Sequence, residues 1–211
     1  MKRLSHIIIS DSPSFCSKIK SVTTRFAFIY GPMSSGKTSK LVKYAKRLSQ
    51  DYPEKVILPY LPKVDTRTPP GTVNSRDGSI LGLVQPIGHC VEINCSPNGS
   101  YYIDEVQFCD KTIFDLIIYI AQNQNCGFVA AGLDLDFKTC RFGLTFDLLN
   151  FMNSWTLDHE VYFLKAVCKM CGSPACFTGR IASSSELILI GGDELYNPVC
   201  QNHFSSRTHI E

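Results

Sequence analysis

The sequence has no apolar stretch near the ~18 residues that a membrane-spanning helix needs. Near its start only Ile7, Ile8 and Ile9 run together, too few for the ~7–15-residue core of a secretion signal. The expectation is a soluble, cytoplasmic chain with no membrane partner. Net positive charge is also lacking in the body of the chain. Residues 1–25 hold five cations against Asp11, a net of +4, so the remainder is slightly acidic beneath an overall +2. General nucleic-acid binding needs clustered Lys and Arg, and a slightly acidic body is a poor candidate for it. The basic, serine-rich residues 1–25 read as a disordered N-terminal extension. Without a secretion signal, ten cysteines do not make a disulfide framework. No internal repeat and no long low-complexity segment is found.

What remains is 211 residues, 44% hydrophobic, enough for one domain with an ample core plus an appendage. Phe26 to Tyr30 reads as a buried strand ending in a glycine loop. Leu41, Val42, Tyr44, Ala45 and Leu48 form a helical stripe ending near Gln50. Short apolar strands are predicted at Val56–Leu58, Tyr101–Ile103 and Phe128–Ala131, with a helix over Lys111–Gln124. Residues 61–82, with three prolines and several polar residues, read as one long loop. Short strands alternating with helices predict a parallel α/β sheet over residues 26–165. From about Lys165 the texture changes to cysteines, glycines and short strands, so residues 166–211 are predicted to form a small second domain.

Gly31-Pro32-Met33-Ser34-Ser35-Gly36-Lys37-Thr38 matches the phosphate-loop pattern G-x-x-x-x-G-K-[ST]. Glycines let backbone N–H groups curl around a phosphate, and the following helix points its positive end at the same anion. Lys37 suits the β- and γ-phosphates, and the Thr38 hydroxyl suits Mg²⁺. Tyr102-Ile103-Asp104-Glu105 resembles a Walker B strand end, with Asp104 toward Mg²⁺. Glu105, one residue on, is a candidate to accept a proton from an attacking hydroxyl or water.

Cys168-Lys169-Met170-Cys171 and Cys200-Gln201-Asn202-His203 are two knuckles of soft ligands, 28 residues apart. Four filled positions suit a closed, structural zinc site rather than a catalytic one. Cys176 stands nearby as a rival ligand.

These features together resemble the type II thymidine kinases, from about Phe26 to Phe204. The resemblance rests on Gly31-Pro32-Met33, Asp65-Thr66-Arg67 and Asp104-Glu105-Val106-Gln107-Phe108. It continues through Gly132-Leu133-Asp134-Leu135-Asp136-Phe137, Phe142-Gly143, Phe177-Thr178-Gly179-Arg180, Ile190-Gly191-Gly192 and Tyr196. It implies a RecA-like phosphate-loop sheet with helices on both faces and a zinc-tied C-terminal lasso. It implies transfer of the ATP γ-phosphoryl group to the 5′-hydroxyl of thymidine, with Glu105 as base. By position, Gly31 to Thr38, Asp65, Arg67 and Asp104 to Gln107 would serve ATP and Mg²⁺. Met33, Leu133, Phe137, Phe142 and Thr178 would surround thymine. Leu187, Ile188, Leu189, Ile190 and Gly191 would read its edge by backbone groups, and Tyr196 would close the pocket. A homotetramer and inhibition by thymidine triphosphate (dTTP) are implied as well. Ser34, Val106, Gln201 and His203 depart from the family's usual residues, and residues 75–78 only approximate its loop motif. Two other readings stand beside the kinase: a zinc-ribbon ATPase acting on nucleic acid, and a kinase-shaped regulator.

Overall fold

The computed structural model describes residues 26–67, 72–74, 78, 80–82, 84–88, 93–123, 125–154, 159–181, 186 and 188–205. The extension expected at residues 1–25 lies outside them. A six-stranded sheet is built from β1 (Phe26–Tyr30), β2 (Val56–Pro62), β5 (Gln85–Ile87), β6 (Gly99–Ile103), β7 (Gly127–Gly132) and β8 (His159–Phe163). Its order is β5-β2-β6-β7-β1-β8, and every pairing is parallel. A parallel sheet covered on both faces reads as continuous apolar runs, which is why β1, β6 and β7 are visible in the sequence.

Alternation along β1 divides the core. Ala27 and Ile29 face α1 (Lys37–Asp51), packing with Leu41, Val42 and Ala45. Phe26 and Phe28 face the other way, toward α2 (Ile113–Gln122) and α3 (Thr145–Ser154). Ile113, Leu116, Ile117 and Ile120, spaced for one helical face, are all buried. At about 1.5–3 kcal/mol per fully buried large aliphatic side chain, that face of α2 contributes about 6–12 kcal/mol before entropy. The chain thus leaves β1 on one face of the sheet and β6 and β7 on the other. A crevice opens at the carboxyl ends of these strands, where open α/β sheets bind ligands.

Two expectations are corrected. Residues 61–82 are not one loop: β2 runs on to Pro62, and a short hairpin pairs β3 (Thr72–Asn74) with β4 (Ile80–Gly82). Three-residue strands are too short for a periodicity to register. The sequence reading also passed over α3 and β8, the latter an edge strand whose residues are all half-buried.

Beyond Leu164 lie β9 (Ala166–Val167), β10 (Pro174–Ala175), β11 (Phe177–Arg180), β12 (Tyr196–Val199) and α4 (Gln201–Ser205). They form two two-stranded sheets over a core of Ala166, Cys168, Ala175, Val199 and Cys200, flanked by the stacked rings of Phe177 and Phe204. So small a core needs a further cross-link to hold its shape. The segment departs from β8 by crossing the phosphate loop. Leu164 N–H donates to Tyr30 O at 2.8 Å, and a Cβ on Gly31 (φ 146°) would stand 2.2 Å from Leu164 O. Only glycine fits there. Among the described residues no helix is long and apolar enough to cross a membrane.

Candidate active site

The loop after β1 turns through Ser34 (φ 62°) and Gly36 (φ 84°) into the N-terminus of α1. Lys37 is buried there, and its ammonium donates to Pro32 O at 2.7 Å. Burial pulls Lys37 below its ordinary pKa, and the carboxylates of Glu105, Asp104 and Asp134 only partly oppose this. Thr38 Oγ1 donates to Asp104 Oδ2 at 2.8 Å, so a hydroxyl and a carboxylate meet at the mouth of the loop. Burial, reinforced by the neighbouring Glu105 charge, pushes Asp104 up to about 7, against the Thr38 hydrogen bond and the Lys37 charge. A cation placed between these groups would remove that conflict, which suits them to a hard divalent ion.

A cavity of about 600 Å³ spans this mouth, bordered by Met33 to Ser39, Asp65, Arg67, Asp104, Glu105 and residues 190–192 and 194. A second, of about 50 Å³, lies beside it. Its walls include Phe108, Leu133, Phe137, Phe142, Thr178, Ile188, Leu189 and Tyr196. Phe108 meets Phe142 edge-on at 5.6 Å. Met33, Arg67, Glu105, Leu133, Ile190 and Gly191 border both cavities.

Glu105 stands at that junction with φ 52° and ψ 42°, a left-handed conformation that costs a non-glycine residue about 1–3 kcal/mol. Its amide donates to Asp104 Oδ1 at 3.0 Å. One carboxylate oxygen takes a hydrogen bond from Arg67 Nη2 and the other from Gln107 Nε2. Arg67 is itself anchored by Asp65, whose Oδ1 accepts from Arg67 Nε at 2.8 Å. Burial opposes the Arg67 charge, but Asp65 and Glu105 outweigh it and raise its pKa. Burial likewise opposes charge on Asp65, and Arg67 outweighs it, holding Asp65 low.

The C-terminal segment reaches over both cavities. Met33 N–H donates to Thr178 Oγ1 at 3.0 Å, and Ser34 Oγ donates to Asp193 Oδ1 at 3.2 Å. Arg180 stacks 3.6 Å above the Phe137 ring and donates to the Tyr196 hydroxyl at 2.8 Å, which in turn donates to Leu189 O. Below them, Cys168, Cys171, Cys200 and His203 bring one ligand atom each within 4.8 Å of the others. Cys171 Sγ to Cys200 Sγ is 3.8 Å, the edge of a tetrahedron with metal–sulfur bonds of about 2.3 Å. Burial opposes charge on the Cys168 thiol, but backbone N–H groups of Cys200, Met170 and Cys171 outweigh it and bring it down to about 6, favouring the metal-binding thiolate. Cys176 stands outside this group.

A phosphate loop and a strand-end acid pair meet at one crevice, and the C-terminal segment that carries the four-ligand cluster also supplies residues to its lining. The sequence profile of the thymidine kinases matches residues 24–204. The chain belongs to the thymidine kinase family. A thymidine kinase of Mycoplasmoides gallisepticum is 35% identical over 185 residues, covering 83% of this chain and 78% of that one. One from Bacteroides fragilis is 31% identical over 179 residues, covering 84% and 85%. One from Ureaplasma parvum is 32% identical over 190 residues, covering 83% and 80%.

Within this thymidine kinase fold, the crevice gathers nearly all the residues expected from the sequence, with some reassigned. Val106 is wholly buried in the core and borders neither cavity. Gln107 borders the second cavity, not the phosphate mouth. Gly31 and Pro32 shape the loop from behind, since the lining begins at Met33. Leu187 lies outside the described residues. Arg180, Asp193 and Phe108 escaped selection. Arg180 was findable as the one charged residue of β11. Asp136 lines the second cavity, but its Oδ1 accepts from the amides of Lys138 and Cys140 at 2.8 Å each, so it shapes the turn that presents Phe137.

Proposed function

We propose that the protein transfers the γ-phosphoryl group of ATP to the 5′-hydroxyl of thymidine, with Glu105 taking the hydroxyl proton. One observation carries this reading. Among the described residues Glu105 is the single carboxylate that borders both cavities, so a base there reaches an acceptor in one and a donor in the other. The loop amides and Lys37 would hold the triphosphate, and Thr38 with Asp104 would hold Mg²⁺. Bound there, Mg²⁺ supplies neutralisation of charge on the phosphoryl oxygens. Arg67, bordering both cavities, adds a fixed cation where that charge develops. Met33, Leu133, Phe137 and Phe142 would enclose the pyrimidine. Backbone groups of Ile188 to Gly191 would read its edge, favouring thymidine over deoxycytidine because the cytosine edge leaves buried groups unpaired. At about 50 Å³ the second cavity is far below the ~300–1,000 Å³ of ordinary ligand pockets, so the 188–196 lasso must shift outward to admit a nucleoside. Cys168, Cys171, Cys200 and His203 would hold one structural zinc.

The test is transfer of labelled phosphate from ATP to thymidine, to deoxycytidine and to water, by the native enzyme and by Glu105→Gln. Thymidine should be strongly preferred. Loss of a general base costs ~10²–10⁴-fold, so Glu105→Gln should lose most turnover while binding ATP nearly as before. Equal use of both nucleosides would rule out the pocket, and near-normal turnover in the variant would rule out the base.

A further inference from the structure

The geometry points to Gln107 as the positioning residue for Glu105: it orients the base and ties that orientation to the wall of the nucleoside cavity. This rests on the role proposed for Glu105. Gln107 follows Glu105 in the 3₁₀ turn Val106–Phe108 and is 4% exposed, too buried for a solvated amide. Its two amide atoms are assigned without ambiguity. Leu133 N–H can only donate, and it meets Gln107 Oε1 at 3.0 Å. The NH₂ end must then face Glu105, where Nε2 lies 2.5 Å from Oε2.

The surroundings are shaped to this amide. A Cβ on Gly132 would stand 2.7 Å from Gln107 Oε1, and one on Gly143 would stand 1.9 Å from Gln107 O. Gly132 at the end of β7 thus clears the side-chain amide, and Gly143 clears the backbone carbonyl of the same residue. One oxygen of Glu105 accepts a side-chain hydrogen bond from Arg67 and the other accepts one from Gln107. A carboxylate has about four lone-pair sites, so capacity remains on both oxygens to receive a proton. Arg67 is held by Asp65 in the segment that follows β2. Gln107 is fastened to β7 through Leu133, a residue that borders both cavities. Its hydrogen bond therefore fixes the plane of the carboxylate relative to the nucleoside wall.

The experiment is a double-mutant cycle on the full-length enzyme, measuring kcat and the thymidine dissociation constant. Gln107→Met keeps the volume and removes both hydrogen bonds. Gln107→Asn keeps an uncharged amide but is one methylene too short to span Leu133 and Glu105 together, so it decides the matter should the methionine variant fail to fold. In the native background each should lower kcat about 10–100-fold, the worth of a hydrogen bond to a charged group, with thymidine affinity changed less than about threefold. In the Glu105→Gln background the same changes should lower the residual rate less than about twofold, because no carboxylate is left to orient. The same fold-loss in both backgrounds means a structural role and overturns the inference. So does native kcat, or a loss confined to thymidine affinity. Full activity in Glu105→Gln alone would instead remove the base itself, and with it the reading on which Gln107 depends.

Discussion

Thr178→Val removes a single hydroxyl, and its consequences are calculable. Thr178 is 5% exposed, and its Oγ1 accepts from Met33 N–H at 3.0 Å in buried surroundings. Valine matches the volume but offers no acceptor, so the Met33 amide is left unsatisfied at a cost of about 1–3 kcal/mol. If β11 stays in place, the cost falls on the folded state. For a chain of this size each kcal/mol lowers the melting midpoint by roughly 2–4 °C, so the fall is about 2–12 °C. If β11 lifts to let water reach the amide, the midpoint moves less. The productive arrangement must then be rebuilt on binding, and the same energy weakens thymidine by a factor of about 5–150. Thermal denaturation and steady-state kinetics on one preparation separate the two. Thr178→Ser keeps the hydroxyl and should behave like the native protein in both assays. A valine variant with unchanged midpoint and unchanged thymidine KM would refute the claim that this hydrogen bond joins the phosphate loop to the strand above it.

Two other perturbations probe distant parts of the crevice. Cys171→Ala, or chelation, should abolish a zinc content of one per chain measured by elemental analysis. Structural zinc contributes about 10–16 kcal/mol of binding free energy, so thymidine affinity should collapse while ATP affinity, measured by titration, falls far less. Gly143→Ala puts a methyl 1.9 Å from Gln107 O at a backbone angle of φ 55°, which costs about 1–3 kcal/mol in strain alone. It should lower kcat tenfold or more with ATP binding retained, and native kcat would show that the turn tolerates displacement.

The phosphate loop and the strands around it were legible because their signals are contiguous. Gly31 to Thr38 is one octapeptide, and β1, β6 and β7 are unbroken apolar runs imposed by burial on both faces. The Cys/His cluster was legible for a different reason, since each knuckle is local even though the two lie far apart in sequence. The hairpin of β3 and β4 was not, because three-residue strands flanked by Pro, Gly and Asp look like a loop. Nor was the work of Gln107. Its partners are Glu105, two residues away, and Leu133, 26 residues away, with clearance supplied by Gly132 and Gly143. No spacing rule links those four positions. Only the return of β7 alongside β6 brings them together.

The crossing of Leu164 over Gly31 also has a mechanical meaning. The backbone is pinned to the sheet there by the Leu164–Tyr30 hydrogen bond, and pinned again where Thr178 meets Met33. With both intact, the segment that carries Ile188 to Gly191 stays tied at its base to the end of β1 and to the phosphate loop. The contact at the free edge of that segment is the exposed hydrogen bond between Ser34 and Asp193, the easiest of the three to exchange for water. Both pins and this catch lie on or next to the phosphate loop, at Tyr30, Met33 and Ser34. Whatever ligand stiffens Gly31 to Thr38 would therefore stiffen the base of the covering segment as well, so occupancy of the phosphate loop should be felt at the second cavity.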